Sequence, residues 1–431
     1  MKVVAFLPAK GTSERIKNKN VTILDGKPLF LHTLEKLMEC DFIDEVYLDT
    51  ESDDIYEMAK YTGCIYLKRA VELASNKTDG HSLFYNEAVK VDADIYVQIL
   101  GTSPFIKKDT IKRAINVLKE TSEFDSVVLV KKDKQYLWDG SNPLYNRENI
   151  PNSKDLPDTI IETMGLYVTN KHVALDMKRR YGSSPYLLEA EPIEAVDVNY
   201  PADFRLAEII MKGLHQNEIN QLNFMAKNIN SAMLSDILDD LQIDGVVNGL
   251  KCNMDNKKVF GRAKTLKLRE LNEGEDFRGI YDALVSYEQV TTNDIIVVEN
   301  ECGEFAYFGE LNAMLAMRAG ASATIVGGVT RDQDATRKFE YPVFAAGYNC
   351  KDVRKRATLE SINQTIKLGG VSVSPNDLIF ADNDGIVVIP FLKVEQVMEI
   401  LIKKVSMEKN VASEIISYTN PLEIVNNVGE F

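Results

Sequence analysis

Four cations gather in one short loop near the start of the sequence. Residues 7–20 read LPAKGTSERIKNKN, with Lys10, Arg15, Lys17 and Lys19 set against a single acid, Glu14. The chain as a whole carries a formal net charge of −15, so this local excess runs against the background. Gly11 lets backbone N–H groups approach a ligand closely, and Thr12 and Ser13 add hydroxyl donors. Such a cluster suits a nucleoside triphosphate. The loop is not a Walker loop, and on spacing alone it fits a solvated basic turn equally well.

The elements around the loop place it. The apolar run Val3-Val4-Ala5-Phe6 before it has the composition of a buried first strand, and Leu31, Leu34, Leu37 and Met38 after it recur at helical spacing. Up to about residue 212, short β-rich runs at 46–48, 95–100 and 126–130 alternate with helical patterns such as DTIKRAINVLKE from Asp109. That alternation predicts a mostly parallel sheet with helices on both faces. Ligands of such sheets sit beyond the carboxyl ends of the strands, where the first loop and Leu100-Gly101-Thr102-Ser103-Pro104 meet. Residues 131–158 are polar, with Pro143, Pro151 and Pro157, and read as a long loop, a lid or a dimer arm. A second chemistry-bearing stretch, 309–332, predicts a turn, a helix that stops at Gly320, a strand at 323–326 and a Gly-rich turn carrying Arg331-Asp332. Residues 370–390 predict two strands around turns at Pro375-Asn376 and Asn383-Asp384-Gly385.

The wording of the first loop resembles the opening of the acylneuraminate cytidylyltransferases, the CMP-sialic acid synthetase family. VYLDTESDDI at 46–55, LKRAVELA at 67–74, VQILGTSPF at 97–105 and AVDVNYPADFRLAE at 195–208 resemble further motifs of that family, in the same order. The resemblance implies that CTP is the nucleotide and an acidic 2-keto sugar the acceptor. It makes Lys10, Gly11, Ser13, Arg15, Asn20, Arg69 and Gln98 nucleotide-binding, Lys19 and Asp197 catalytic, Gly165 acceptor-binding and Asp197 the ligand of Mg²⁺ or Mn²⁺. Nucleotidyl transfer works mainly by positioning and by neutralising charge around the phosphates. The chain departs from the family pattern at Lys10 (usually Arg), Glu14 (usually Lys, for which Arg15 can substitute), Met164 (usually Asn) and Asn199 (usually a second metal-binding Asp). Asp203 is the nearby acid that could compensate for Asn199.

The second half, over residues 231–390, resembles the family of 4-hydroxy-4-methyl-2-oxoglutarate aldolase and the regulator of ribonuclease activity A. Those aldolases carry an acid, twenty intervening residues and then Arg-Asp, a spacing met here by Glu310 and Arg331-Asp332. The resemblance implies a compact αββα sandwich, commonly in trimers or hexamers. Arg331 would bind and activate a pyruvate-like 2-keto acid, its planar fork suiting a carboxylate or an enolate oxygen. Asp332 would hold Mg²⁺ or Mn²⁺ through oxygen, with Glu310 completing the shell. The helix from Leu311 would aim its first N–H groups at the substrate anion. Two further family positions differ here, Gly327 and Ala335 standing where the aldolases often have acids.

Composition bounds the rest. With 431 residues, 45% hydrophobic and 27% charged, the chain is ordinary globular protein of more than one domain. Its acidic balance argues against nucleic-acid binding. No apolar run approaches the roughly 20 residues of a membrane span, and the N-terminus lacks a signal-peptide layout. The five cysteines are scattered without a C-x-x-C pair, so a disulfide framework or zinc knuckle is not indicated. We expect a cytoplasmic α/β protein made of a Rossmann-like nucleotidyltransferase domain (1–215), a polar linker (216–230) and an αββα aldolase-like domain (231–431), assembled as a homo-oligomer. The competing expectation is a cytidylyltransferase whose second domain is a non-catalytic assembly or regulatory module.

Overall fold

The computed structural model describes residues 1–13, 16–75, 77–416 and 420. The chain divides into two compact units, Met1–Lys212 and Gly213–Phe431.

The first unit is built on seven strands: β1 (Val3–Pro8), β2 (Glu45–Thr50), β3 (Ile65–Lys68), β4 (Ile95–Ile99), β5 (Ser126–Asp133), β6 (Thr159–Asn170) and β7 (Pro185–Glu189). Their order is β7-β5-β6-β4-β1-β2-β3. β1 pairs in parallel with β2 and β4, and β6 is antiparallel to both its neighbours. The continuous apolar run of β1 follows from burial on both faces. Val3, Ala5 and Leu7 pack with Leu31, Leu34 and Leu37 of helix α1 (Leu29–Met38), whereas Val4 and Phe6 pack with Phe84 and Tyr96 on the other side. The period of two along the strand thus separates two cores. Helices α2 (Asp53–Ala59), α3 (Gly80–Ala88), α4 (Lys108–Glu120) and α5 (Lys171–Leu175) complete the layers. Between β5 and β6 the chain makes a mostly exposed excursion, with a small ribbon pairing Trp138 with Pro143.

Helix α6 (Pro201–Ala226) contains the division between the units. The stretch expected as a linker is therefore helical as far as Ala226. Its Leu222 and Ala226, with Ile229, belong to the core of the second unit. Polar composition concealed this because one helical face is solvated while Ile219, Leu222 and Ala226 are buried at spacings of three and four.

The second unit holds a sheet of nine strands: β8 (Val246–Val247), β9 (Lys251–Cys252), β10 (Val259–Glu270), β11 (Ile295–Asn300), β12 (Ala323–Gly327), β13 (Val343–Ala345), β14 (Ala357–Ile362), β15 (Leu378–Ala381) and β16 (Ile386–Ile389). β10 pairs first with β15, through Val259–Arg262, and then with β11, from Ala263. The crossing falls at Gly261, where a Cβ would collide with the Asn293 carbonyl. The two halves of the sheet face each other across a core that includes Val259, Ile295, Val297, Ile325, Ile379 and Val388. Helices α7 (Ser231–Asp240) and α10 (Val394–Ile416) pack on the outside of one half against Phe260, Phe380 and Val387. Helix α8 (Glu310–Ala319) packs on the other through Ala313 and Ala316, together with Val298 and Val326. The four layers are the expected αββα sandwich. Helix α9 (Gln333–Lys338) follows the Arg-Asp turn. Residues 370–390 hold three strands rather than two, because Val371–Val373 forms a ribbon of its own with Ile366–Leu368. Helix α10 was not foreseen from sequence. Among the described residues no helix is long and apolar enough to cross a membrane.

Candidate functional site

In the first unit the loop after β1 turns back on a distant segment. Lys19 and Asn20 are buried in a short 3-10 turn. The Lys19 Nζ donates to the Val198 carbonyl at 2.7 Å and to Asn199 Oδ1 at 3.2 Å. Asn20 Nδ2 donates to the Lys10 carbonyl at 2.8 Å, which fixes the two ends of the loop together. Asn199 Nδ2 in turn donates to Asp197 Oδ2, while Asp197 Oδ1 is buried with no hydrogen-bond partner. The same segment is tied to the loop after β4, since the Val198 N–H donates to the Thr102 carbonyl at 2.8 Å. Asp203, the acid expected to compensate for Asn199, is engaged locally through one oxygen. Its Oδ2 accepts the N–H groups of Asn199 and Tyr200 at 3.0 and 2.8 Å, the work of a cap at the start of α6. The Gly11 N–H donates to Glu51 Oε1 at 2.7 Å. Ser13 is half-buried; Glu14 and Arg15 lie outside the described residues.

Arg69 and Gln98 sit beneath this loop in a buried polar layer. The Arg69 guanidinium donates to Asp49 Oδ2 from both Nε and Nη2, at 2.9 and 2.7 Å, and to the Asp49 carbonyl. Gln98 Nε2 donates to Glu87 Oε2. Burial, and then the neighbouring Asp49 carboxylate, push the Glu87 carboxyl well above the usual range. Glu51 reaches toward the same guanidinium, 4.0 Å from Arg69 Nη1. Across the loop after β4, Lys36 of α1 donates to the carbonyls of Pro104 and Ile106 at 2.7 and 2.6 Å. Burial, reinforced by the charge of Lys27, pulls its pKa down to about 8.

Gly165, the residue expected to bind the acceptor, faces Ser103: a Cβ there would lie 2.7 Å from Ser103 Oγ. Met164 precedes it with φ of 61°. That left-handed conformation suits Asn and strains Met. The backbone thus keeps a shape that the side chain no longer favours.

In the second unit, Arg331 and Asp332 line a cleft of ≈ 660 Å³ together with Glu310, Leu311, Tyr281 and Asp352. Arg331 Nη2 pairs with Asp352 Oδ2 at 2.8 Å, and its Nε lies 3.6 Å from Asp332 Oδ2. The Glu310 N–H, the first of α8, donates to Asp332 Oδ2 at 3.0 Å. That helix N–H is therefore already occupied by an internal carboxylate. The close approach requires Gly309, whose Cβ would collide with the Asp332 carboxylate. Asp332 itself has φ of 55°, which Asp tolerates better than most residues. The Leu311 side chain is exposed. At Gly327 a Cβ would lie 3.2 Å from the Val298 carbonyl, beneath rather than inside the cleft.

These two sites have separate kin. Residues 4–160 match the family model described as Cytidylyltransferase, and residues 231–388 the one described as Aldolase/RraA. The N-terminal half is thus similar to the cytidylyltransferases and the C-terminal half to the Aldolase/RraA proteins. The chain is 28% identical over 231 residues to CMP-N,N'-diacetyllegionaminic acid synthase of Legionella pneumophila, covering 49% of this chain and 97% of that protein. It is 28% identical over 180 residues to a putative 4-hydroxy-4-methyl-2-oxoglutarate aldolase of Halalkalibacterium halodurans, covering 41% of this chain and 80% of that one. Protein DlpA of Legionella pneumophila is 30% identical over 193 residues, which span 44% of this chain but only 31% of DlpA.

Within the cytidylyltransferase half, the donor set accommodates a divalent cation. Asp197 offers one buried, unpartnered carboxylate oxygen, and Mg²⁺ commonly binds through one or two carboxylates with several waters. Within the Aldolase/RraA half, Asp332 has one oxygen engaged and the exposed Glu310 stands beside it. A largely hydrated ion fits there too. Among the described residues no group of three or more His, Cys, Asp or Glu side chains is arranged to hold a metal ion by itself. Sequence reading missed Asp49, Glu51, Glu87 and Asp352. The one local signal was the acid-rich DTESDD at 49–54, which spans the end of β2 and the residues just after it.

Proposed function

We propose that the first unit transfers a cytidylyl group from CTP to an acidic 2-keto sugar. A sugar hydroxyl attacks the α-phosphorus, the bond to the β-phosphate oxygen breaks, pyrophosphate leaves, and the hydroxyl proton passes to water. The observation that carries this reading is the closure of the cationic loop onto the 197–199 segment by Lys19. It fixes an ammonium on Asn199, whose amide in turn holds Asp197 and leaves the other oxygen of that carboxylate unpartnered. Lys10 and Lys19 neutralise phosphate charge, Ser13 and Gly11 offer donors, and Asn20 reads the base. Asp197 would hold Mg²⁺ or Mn²⁺, which supplies charge neutralisation at the phosphates when bound. The test is pyrophosphate release with a panel of 2-keto sugar acids, N,N'-diacetyllegionaminate and 3-deoxy-manno-octulosonate included. Release should be at least tenfold faster with CTP than with ATP, GTP or UTP. Equal rates with all four nucleotides would overturn the reading.

The second unit has its own reading, favoured by an arginine clamped between two aspartates at the mouth of a cleft. We infer that it cleaves or decarboxylates a pyruvate-like 2-keto acid. Arg331 binds the carboxylate and steadies the enolate oxygen. Asp332, with Glu310, would hold the divalent cation, whose contribution is to polarise the keto group. Oxalate, an enolate mimic, should bind the intact chain in the presence of Mg²⁺ and should lose that binding in Arg331→Ala. If calorimetry detects no Arg331-dependent oxalate binding, the unit is an assembly or regulatory module instead. We further read the protein as a cytoplasmic homo-oligomer. Leu311, Met314 and Met317 leave an exposed apolar strip on α8, and a monomer in light scattering would remove that inference.

A further inference from the structure

Arg180 lies between α5 and β7, and it is only 7% exposed. Its Nε is buried without a hydrogen-bond partner. Among the described residues no carboxylate forms an ion pair with its guanidinium. The guanidinium carbon sits 5.0 Å above the ring of Tyr167, and Tyr181 stacks on that ring at 6.4 Å. It also packs against Gly80 at the start of α3, where a Cβ would collide with it. The backbone is pinned on both sides: the Arg180 N–H donates to His81 Nδ1 at 3.1 Å, and its carbonyl accepts from Thr169 Oγ1.

This is a built recess around a cation with nothing to neutralise it. Burying an unpaired charge is costly, and a cation–π contact returns only part of that cost. The acids around it are committed elsewhere. Asp79 caps α3 through the N–H groups of His81 and Ser82 at 2.9 and 3.1 Å, and Glu162 accepts from the Tyr167 hydroxyl. The positive end of α3 adds to the field. Folding gains little from such an arrangement, whereas an incoming anion gains a preformed planar fork.

The sheet order says which anion. Tyr167, under the guanidinium, is on β6 directly opposite Gln98 on β4. Met164 and Gly165, on the acceptor side, lie three and two residues before Tyr167 on the same strand. The cationic loop follows β1, on the far side of β4. The phosphates already have Lys10 and Lys19 there, so the anion that meets Arg180 belongs to the second substrate. We infer that Arg180 takes the carboxylate of the 2-keto sugar acid and so selects acidic sugars over neutral ones. The inference rests on the transfer reading above.

The test uses the full chain with Arg180→Gln and Arg180→Lys, CTP, and the two sugar acids named above, each also as its C1 amide. In Arg180→Gln the acceptor KM should rise ~10- to 100-fold, the loss of one charged hydrogen-bonded pair. The KM for CTP should stay within about twofold, and Arg180→Lys should recover part of the loss. Wild type should prefer acid over amide, and Arg180→Gln should not. The melting temperature of Arg180→Gln should equal or exceed that of wild type, because an unpaired buried charge is removed. An unchanged acceptor KM in both variants, with an active wild type, overturns this inference and leaves the transfer reading intact. A lowered melting temperature with equal losses for CTP and acceptor also overturns it, since that is what a structural role gives. Absence of pyrophosphate release by wild type with every acid brings down the transfer reading, and this inference with it.

Discussion

The two sites treat charge in opposite ways. In the first unit Asp49, Arg69, Glu87 and Lys19 are all buried, each held by partners drawn from other strands or loops. In the second, Arg331 and Asp332 keep 37% and 43% of their side-chain surface exposed. A buried ion pair is costly to assemble and worse to break, because the survivor is left uncompensated. An exposed pair is screened and nearly neutral to stability. The first site is therefore part of the fold, and the second is carried on it.

That contrast can be broken by substitution. The largest expected effect is at Asp197. Asp197→Asn should reduce transfer by more than ~10³-fold, since an amide holds Mg²⁺ far less well than a carboxylate. Its circular dichroism and melting temperature should be near those of wild type, because the oxygen removed has no protein partner. Full turnover in that variant would show that the cation is held elsewhere. Asn199→Asp, which adds a second carboxylate beside it, should bind Mg²⁺ as well as wild type or better.

Paired arginine truncations sharpen the comparison. Arg331→Ala should lower keto-acid turnover ~10²–10³-fold while changing stability by less than about 1 kcal/mol. Arg69→Ala should instead cost about 3–5 kcal/mol in denaturant melts, leaving Asp49 buried and alone. If both truncations destabilise equally, burial is not what separates the sites.

The smallest effect is expected at Glu87, and it depends on pH. Its carboxyl is held above the usual range by burial and by Asp49. A raised folded-state pKa stabilises the fold fully below the unfolded pKa, and that stability is lost as pH rises through the folded value. Glu87→Gln keeps the acceptor for Gln98 and cannot ionise. It should match wild type below the ordinary glutamate range and melt a few degrees higher at alkaline pH. A difference that does not vary with pH would mean that Glu87 is not the protonated member.

How much of this was legible in the sequence follows from distance along the chain. The cationic loop, the Arg331-Asp332 turn and the stop at Gly320 are contiguous, so residue types and local spacing point to them. The partners are not contiguous. Lys19 meets Asn199 across 180 positions, and Arg69 meets Asp49 only because β2 and β3 are adjacent and parallel. Asp203 looked like a spare acid because composition does not show that it caps α6. Arg180 carried no motif at all; only its lack of an acidic partner in three dimensions singles it out. The junction expected at 216–230 is helical as far as Ala226, which polar composition alone does not show. Its apolar positions do show the helical period once that period is sought.

The hydrogen bond from the Gly11 N–H to Glu51 has a bearing on every affinity measured at the first loop. An anion bound to that N–H must displace a carboxylate tethered by the chain itself. Tethered groups of this kind act as competitors at an effective concentration on the order of millimolar or above, whatever is dissolved outside. The loop is thus never in equilibrium with solvent alone. A titration with nucleotide reports the difference between two ligands, one of which cannot be dialysed away.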